Sequence, residues 1–187
     1  MAYSFGVEKE DTRGKVIYPG LPTLPKGLER YTIPGGGSLS LKIFQNDEIK
    51  LIDCEGLQAA ELVLFNSNGI GRAKFFGARS NGKATGLQKI LQQNETSARY
   101  VLANLQKLGC DLGNAEAAKV FGIGSTAGSE VNFVAECDGW LLIGAPGKPM
   151  LVEGTNPPSE LVLYLKRMTP VHRKDETVAP PPLRIQL

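Results

Sequence analysis

The feature that most constrains this chain is the stretch of residues 38–66, where apolar and polar side chains alternate with a period of two. The alternation is regular at 39–43 and resumes at 49–51, a pattern typical of strands that bury one face. Residues 57–65 are almost continuously apolar, which predicts a central strand covered on both faces. The stretch therefore predicts three short strands joined by two tight turns.

Composition argues against several classes of protein. The chain has 187 residues, 42% of them hydrophobic, which is enough for the core of one domain. The net charge of +2 and the lack of a Lys/Arg block give no support to nucleic-acid binding. No apolar run approaches the roughly 20 residues that span a bilayer, and the N-terminus lacks the apolar segment of a signal peptide. We therefore expect a cytoplasmic protein with neither nucleic-acid nor membrane partners.

The pattern of segments divides the chain into three parts. Residues 1–36 form an extended arm rich in Pro and Gly, 37–168 a single β-rich domain, and 169–187 a Pro-rich linker or tail. Strand-like segments flank a helical insertion at 85–109, so we predict a mainly β (α+β) fold. Its expected form is an antiparallel barrel or sandwich with two helices covering one side. Asp138-Gly139 is a favoured two-residue turn, which predicts a hairpin between the segments on either side.

Two further local signals concern the insertion and the arm. Thr85 and Gln88 have the spacing of a capping box, which predicts the start of a helix. In the arm, prolines favour an extended strap without chemistry. Tyr18, Leu21, Leu24 and Tyr31 could still pin this strap onto a surface.

Metal-ligating residues are few. The one histidine, His172, lies in a charged tail, and Cys54, Cys110 and Cys137 are far apart in the sequence. This distribution favours reduced thiols over a disulfide framework. It supplies almost no ligands for a zinc site of the Cys/His type, so we expect no bound metal.

A polar cluster at the second turn is the best candidate for a site. Asp53, Glu55, Gln58 and Glu61 gather at this turn and the strand that follows it. We expect Asp53 to accept hydrogen bonds from nearby backbone N–H groups. Glu55 and Glu61 are candidate general bases, because a carboxylate near a turn can be tuned for proton transfer. The alternative is that these residues only cap a solvated turn.

A second candidate binding surface is basic. Arg72, Lys74 and Arg79 follow the third strand in a segment rich in glycine. Their charges could meet a small anionic ligand or an acidic partner. We therefore predict ligand-binding residues at Asp53, Glu55, Gln58, Glu61, Arg72, Lys74 and Arg79.

Three segments together resemble a known family. Residues 32–66, with the core DCEGLQAAE at 53–61, resemble the opening of the urea-carboxylase-associated domain family, and NPPSEL at 156–161 is similar to that family's end. The arm at 18–38 resembles the start of longer proteins in which such a module precedes a glycine-cleavage T-protein (aminomethyltransferase) domain.

The resemblance implies different activities for different members. Free-standing members include metal-dependent carboxyguanidine deiminases, whose sites use Cys and His residues in the middle of the domain. Here Cys110 and Cys137 have no neighbouring His, and Glu61 stands where the family typically carries an aspartate. The resemblance therefore implies a copy of the module without the metal-activated water.

Two functions follow as hypotheses. The first is a non-catalytic accessory or assembly module of an aminomethyltransferase-like protein, with a small anionic metabolite as a further ligand. It implies no cofactor in this chain, folate only in a downstream domain, and a neighbouring domain or a second copy (a homodimer) as partner. The alternative is a hydrolase of amidine or carboxyguanidine-type substrates with Glu55 or Glu61 as general base.

Overall fold

A computed structural model describes residues 24–93, 95–147 and 159–168 of the chain. Within these residues the chain forms nine β-strands, two α-helices and one 3₁₀ helix. The strands are β1 (Leu28–Ile33), β2 (Ser38–Ile43), β3 (Glu48–Asp53), β4 (Ala59–Asn66), β5 (Gly71–Arg72), β6 (Ala118–Phe121), β7 (Ser129–Val134), β8 (Gly139–Gly144) and β9 (Leu161–Lys166). The helices are α1 (Thr85–Gln93), α2 (Glu95–Lys107) and the 3₁₀ helix (Ala73–Phe76).

The strands form two sheets in which neighbouring strands are antiparallel. One sheet has four strands in the order β1-β9-β3-β7, and the other has the order β2-β8-β4-β5, with β6 also paired to β4. Between the sheets lies a core that includes Ile33, Ile43, Leu51, Leu62 and Leu163. Apolar residues at alternate positions supply this core, as the period of two predicted. The mainly β fold with two helices is confirmed, and in the described residues its form is a sandwich and not a closed barrel.

Strand β4 is covered on both faces, as its continuous apolar sequence predicted. Leu62 and Leu64 face the core between the sheets, whereas Val63 and Phe65 belong to a second apolar cluster with the helices. Leu87 and Leu91 of α1 supply part of that second cluster. The helices therefore cover the outer face of the second sheet, and the prediction of a helical insertion is confirmed.

The helix start differs from the predicted capping box. The amide of Gln88 donates to the carbonyl oxygen of Leu112 at 3.0 Å, and the backbone N–H of Thr85 donates to Lys83. The Thr85 hydroxyl accepts a hydrogen bond from Lys119 Nζ at 3.2 Å. Both side chains of the expected capping box therefore bond to residues outside the helix instead of to its first backbone N–H groups.

The predicted hairpin at Asp138-Gly139 is wrong. Strand β7 pairs with β3, whereas β8 pairs with β2 and β4, so the two strands belong to different sheets. The Oδ1 atom of Asp138 accepts the backbone N–H of Gln45 at 2.8 Å, which fixes this corner to the turn before β3. A Cβ on Gly139 would collide with the backbone of Phe65, so glycine lets β8 approach β4 closely.

Strand pairing begins within the segment that was predicted to be an extended arm, residues 1–36. Residues 28–33 form β1, which pairs with β9 along its whole length. Most of the arm, the tail at 169–187 and a short strand expected at 150–153 lie outside the described residues. Neither α-helix of the described part has the length and apolar character needed to cross a membrane.

Candidate functional site

Asp53 holds the turn between β3 and β4. Its carboxylate is fully buried, and Oδ1 accepts the backbone N–H of Gly56 at 3.0 Å. The Oδ2 atom accepts the N–H of Gln58 at 3.2 Å and the hydroxyl of Ser125 at 2.6 Å. The prediction that Asp53 binds nearby N–H groups is confirmed. The bond to Ser125, which belongs to the loop at 122–128, was not expected.

The turn and that loop are held together by more than Asp53. The Ser125 hydroxyl oxygen also accepts the backbone N–H of Leu57 at 2.9 Å, and Gly56 forms a β-bridge with Thr126. Gly56 has φ of 87°, and a Cβ there would lie 2.8 Å from the backbone nitrogen of Ala127. Only glycine therefore tolerates both this conformation and this contact. Hydrogen bonds and a β-bridge therefore hold the two segments together at one end of the sandwich.

Glu61 lies at the start of a helix, although it belongs to a strand. It is 5% exposed, and its Oε2 atom accepts the backbone N–H of Leu87 in α1 at 2.9 Å. Its Oε1 atom lies 3.2 Å from Lys119 Nζ, which is partly exposed. A Cβ on Gly86 would lie 2.8 Å from the Glu61 carboxylate, so glycine permits this approach. Glu61 thus satisfies an N–H that α1 cannot bond internally, and its charge favours that helix end.

The other two members of the predicted cluster, Gln58 and Glu55, differ in solvent exposure. Gln58 is buried, and its amide donates to the carbonyl oxygens of Ala59 at 2.9 Å and Pro146 at 3.1 Å. Glu55 is exposed at the tip of the turn. Asp53 and Gln58 are in contact through a hydrogen bond, whereas Glu55 lies outside in solvent.

The basic candidates lie along one continuous segment. Arg72 is half-buried in β5, whereas Lys74 in the 3₁₀ helix and Arg79 beyond it are exposed. The ammonium group of Lys74 lies 6.0 Å from the centre of the Phe75 ring. The segment therefore offers accessible positive charge, but its described contacts do not enclose a ligand.

The sequence did not predict an ion cluster that Arg167 forms with Asp47 and Glu29. Asp47 is fully buried, and its Oδ2 atom lies 2.8 Å from Arg167, which also donates two hydrogen bonds to Glu29 at 3.0 and 3.1 Å. Burial works against the charge of Arg167, but its bonds to Glu29 and Asp47 outweigh that effect and raise its pKa. The available signal was Asp47 in a predicted turn, and nothing in the sequence pointed to a partner 120 residues away.

The three cysteines remain apart. All are half-buried free thiols, and burial raises the pKa of each thiol. Among the described side chains, no three of the types His, Cys, Asp and Glu come close enough to share a metal ion. His172 lies outside the described residues.

The chain is thus a β-sandwich with a helical pair, whose buried carboxylates join separate segments. No family model matches it. Over 152 residues, 81% of this chain, it is 30% identical to a trimethylamine-oxide aldolase from Ruegeria pomeroyi, and it spans 19% of that relative. A solved structure of a DUF1989 family protein from Silicibacter pomeroyi has a TM-score of 0.42 and 12% identity, with 84% of this chain and 89% of that chain covered.

Proposed function

We propose that this chain is a non-catalytic accessory module of the urea-carboxylase-associated type, working with an aminomethyltransferase-like protein. In this role it contributes a rigid surface to a neighbouring domain or to a second copy, and the reaction takes place elsewhere. The similarity to a trimethylamine-oxide aldolase supports a connection with small-molecule chemistry. The limited share of that relative, 19%, is the share expected of one module in a larger protein.

The observation that carries the proposal is the bonding of Asp53 and Glu61. All four of their carboxylate oxygens interact with groups of this same chain. A general base must direct a lone pair at the proton that it removes. Asp53 is fully buried and Glu61 is 5% exposed, so a substrate has little access to the lone pairs that these contacts leave, which favours a structural role for both.

The same geometry gives the hydrolase hypothesis less support. Glu61, one of its candidate bases, interacts with the first turn of α1 and with Lys119. Glu55, the other candidate, is exposed at the tip of a turn, where no surrounding wall excludes water. No described contact favours an amidine or carboxyguanidine-type substrate.

The test compares this chain with the relative that it resembles. Each purified protein is incubated with trimethylamine N-oxide, and its consumption is followed by proton NMR. We expect consumption by the Ruegeria pomeroyi aldolase and none by this chain alone. Consumption by this chain that disappears in Glu55→Gln or Glu61→Gln would overturn the proposal, provided that the variant keeps its circular dichroism spectrum.

A second experiment addresses the accessory role directly. The segment that matches this chain is deleted from the relative, and this chain is then added as a separate protein. We expect the deletion to lower thermal stability and the yield of folded protein, while each folded molecule still turns over substrate. A folded deletion variant with no turnover would mean that the segment takes part in the reaction, against the proposal.

An anionic metabolite is the ligand that the basic segment would take. We expect phosphate or citrate to raise Tm in a concentration-dependent way. The rise should be lost in the double variant Lys74→Ala/Arg79→Ala and kept in Lys89→Ala, which removes an exposed lysine from α1. An equal rise in all three proteins would show a general salt effect and remove this ligand from the proposal.

A further inference from the structure

The outer face of the four-stranded sheet carries a groove of about 1090 Å³. Each strand contributes an apolar or aromatic side chain that is half-buried or exposed: Leu28 from β1, Tyr164 from β9, Ile52 from β3 and Val134 from β7. Val134, on the edge strand β7, is 48% exposed. Apolar side chains gathered on one accessible face are typical of a surface that binds another protein.

The register of the sheet arranges the side chains of this face in rows that cross the strands. The first row contains, in strand order, Leu28, Lys166, Glu48 and Val134. It reads apolar, positive, negative, apolar. A second copy, turned over about an axis that is parallel to the strands and lies between β9 and β3, presents the same row in reverse. Lys166 then faces Glu48 of the second copy, and Leu28 faces Val134 of the second copy.

The charges of the first row alternate in this arrangement. Lys166 and Glu48 form an ion pair at 3.0 Å within the chain. Two such pairs, one inverted on the other, bring together four charges in which each neighbour has the opposite sign. The two copies are therefore complementary at this row without breaking either ion pair.

The second row is complementary in the same way. It contains Arg30, Tyr164, Lys50 and Asn132. Asn132 of the inverted copy faces Arg30, and its side-chain carbonyl can accept a hydrogen bond from the guanidinium group. Tyr164 of that copy faces Lys50, whose ammonium group can contact the ring. In the third row Glu130 lies opposite Thr32, so no charge of the three rows meets one of the same sign.

The other two-fold arrangement of this face conflicts with its charges. An axis that crosses the strands at the second row places Arg30 against Arg30 and Lys50 against Lys50 of the second copy. It also places the carboxylate of Glu48 against Ile52. Like charges, and a charge set against an apolar side chain, both weaken a contact. The charge pattern therefore favours the axis parallel to the strands, which also keeps the strands of the two sheets nearly aligned, as in β-sandwiches.

The size of the face determines the expected strength of association. Each of its four strands has six residues. Four strands of this length outline a face of roughly 19 by 20 Å, which gives about 400 Å² per copy. A standard interface buries about 800 Å² per partner, so a face of this size suits a weak complex that dissociates on dilution.

We propose that the outer face of β1, β9, β3 and β7 is the contact surface of a two-fold homodimer whose axis is parallel to the strands. The ion pairs of Lys166 and Glu48 lie at the centre of the contact, and Leu28 and Val134 lie at its edges. This inference rests on the accessory role proposed above and deepens it by naming a second copy of the chain as the partner. Its test measures assembly and not turnover, so the failure of one proposal is distinguishable from the failure of the other.

The first measurement is sedimentation equilibrium of the full chain from about 10 µM to about 1 mM, a range that covers the Kd of a weak complex. We expect the mass to rise from 20.1 kDa toward twice that value. Lys166→Glu gathers four carboxylates at the centre, and Val134→Asp places a carboxylate against Leu28. Each variant should raise the Kd by about tenfold or more. Lys89→Glu reverses the charge of an exposed lysine on α1 and should leave the Kd unchanged.

The double variant Glu48→Lys/Lys166→Glu tests the axis. It keeps an ion pair within each chain, and its homodimer should have a Kd close to that of the wild type. A mixed dimer with the wild type would bring like charges together at the centre. Native mass spectrometry of an isotope-labelled mixture should therefore show fewer mixed dimers than the statistical share, which a mixture of labelled and unlabelled wild type should reach.

Three results would overturn the proposal. The first is a chain that stays monomeric at the highest concentration. The second is a dimer that neither Lys166→Glu nor Val134→Asp weakens, because such a dimer would use another surface. The third is statistical mixing of the double variant with the wild type, which is incompatible with an axis that places Lys166 opposite Glu48.

Discussion

The Oε2 atom of Glu61, on a central strand, accepts the backbone N–H of Leu87 in the first turn of α1 at 2.9 Å. A strand residue therefore performs the role that a residue just before the helix usually performs. This contact joins the second sheet to the helical pair. The other oxygen of the same carboxylate, Oε1, lies 3.2 Å from Lys119 Nζ.

We expect Glu61→Ala to lower the free energy of unfolding by about 2–3 kcal/mol, because it leaves a buried N–H without an acceptor and removes the partner of Lys119. Glu61→Gln keeps an acceptor and should cost roughly half as much. Urea denaturation followed by circular dichroism gives both values. The control is Glu55→Ala, an exposed carboxylate for which we expect a change within about 0.5 kcal/mol. Equal effects of Glu61→Ala and Glu55→Ala would contradict the capping role.

The turn at Asp53 leads to a double-mutant prediction. Asp53→Ala should cost about 2–4 kcal/mol, because the N–H groups of Gly56 and Gln58 lose their acceptor in a buried position. Ser125→Ala should cost about 1 kcal/mol. Since the two side chains share a hydrogen bond, their combined effect should be smaller than the sum of the single effects by about 0.5 kcal/mol or more. Strict additivity in chemical denaturation would show that the turn and the loop are not coupled.

Arg167 should not be replaceable by lysine. Its guanidinium binds Glu29 through two nitrogen atoms and Asp47 through a third, a geometry that an ammonium group cannot reproduce. We expect Arg167→Lys to cost about 1–3 kcal/mol and Arg167→Met about 3–5 kcal/mol, since Met leaves Asp47 buried without a counter-ion. Lys166→Met, which removes an exposed ion pair from the adjacent position, should change stability by less than about 1 kcal/mol.

The pH dependence of this cluster follows from the sign of the Arg167 shift. A pKa raised in the folded state means a contribution that is complete below the pKa of arginine in the unfolded chain and is lost only above it. Stability differences between wild type and Arg167→Met should therefore not shrink between pH 7 and pH 10 through deprotonation of Arg167. Unfolding free energies at those two pH values provide the measurement. A marked loss of the difference at pH 10 would indicate that another group controls the cluster.

The raised pKa values of the three cysteines lead to a prediction about thiol reactivity and about stability at alkaline pH. Burial raises the pKa of Cys54, Cys110 and Cys137 above 9.0 in the folded chain, so each thiol should react with Ellman's reagent at pH 7.5 more slowly than free cysteine does. The unfolded chain loses its thiol protons more easily, and stability should therefore decline as pH rises above 9. Reaction rates in native buffer and in guanidinium chloride test the first statement. A native rate equal to the denatured rate would refute it.

Gly139 should be intolerant of any side chain. Its Cβ position is occupied by the backbone of Phe65 on β4, so Gly139→Ala requires β8 to move away from its central neighbour. We expect a loss of about 1–3 kcal/mol in the free energy of unfolding. Gly113→Ala is the matched control, because Gly113 is exposed, has no positive φ, and the nearest atom to a Cβ there belongs to the Asp111 side chain. A loss at Gly139 no larger than at Gly113 would show that β8 adapts without cost.

The fold was predictable where local pattern and burial agree. Alternation at 39–43 and 49–51 predicted β2 and β3, and the apolar run after Gln58 predicted β4 as a covered strand. Pairing was less predictable, because Asp138-Gly139 has the composition of a hairpin turn but connects two sheets. Turn composition reports the local backbone only, and the sheet that a strand joins depends on contacts distant in sequence.

The contacts of the candidate site could be predicted only in part, because most of them also join residues that are distant in sequence. Asp53 could be assigned to its turn because its N–H partners are three and five residues away. The partner of Glu61 lies 26 residues away, and Asp47 and Arg167 are separated by 120 residues. No periodicity links residues at such separations. A carboxylate that the sequence presents as a candidate base, such as Glu61, can therefore be buried and hydrogen-bonded in the folded chain.

The pairing of β1 with β9 places the first and last described strands side by side, with Leu28 opposite Lys166. Gly27 and Arg167, just outside these strands, are joined by a backbone hydrogen bond of 2.7 Å. A unit whose two ends meet in this way can be inserted into a loop of a host protein without separating the host's own segments. The same proximity makes the sandwich suitable for circular permutation, with new ends opened at the exposed turn between β4 and β5.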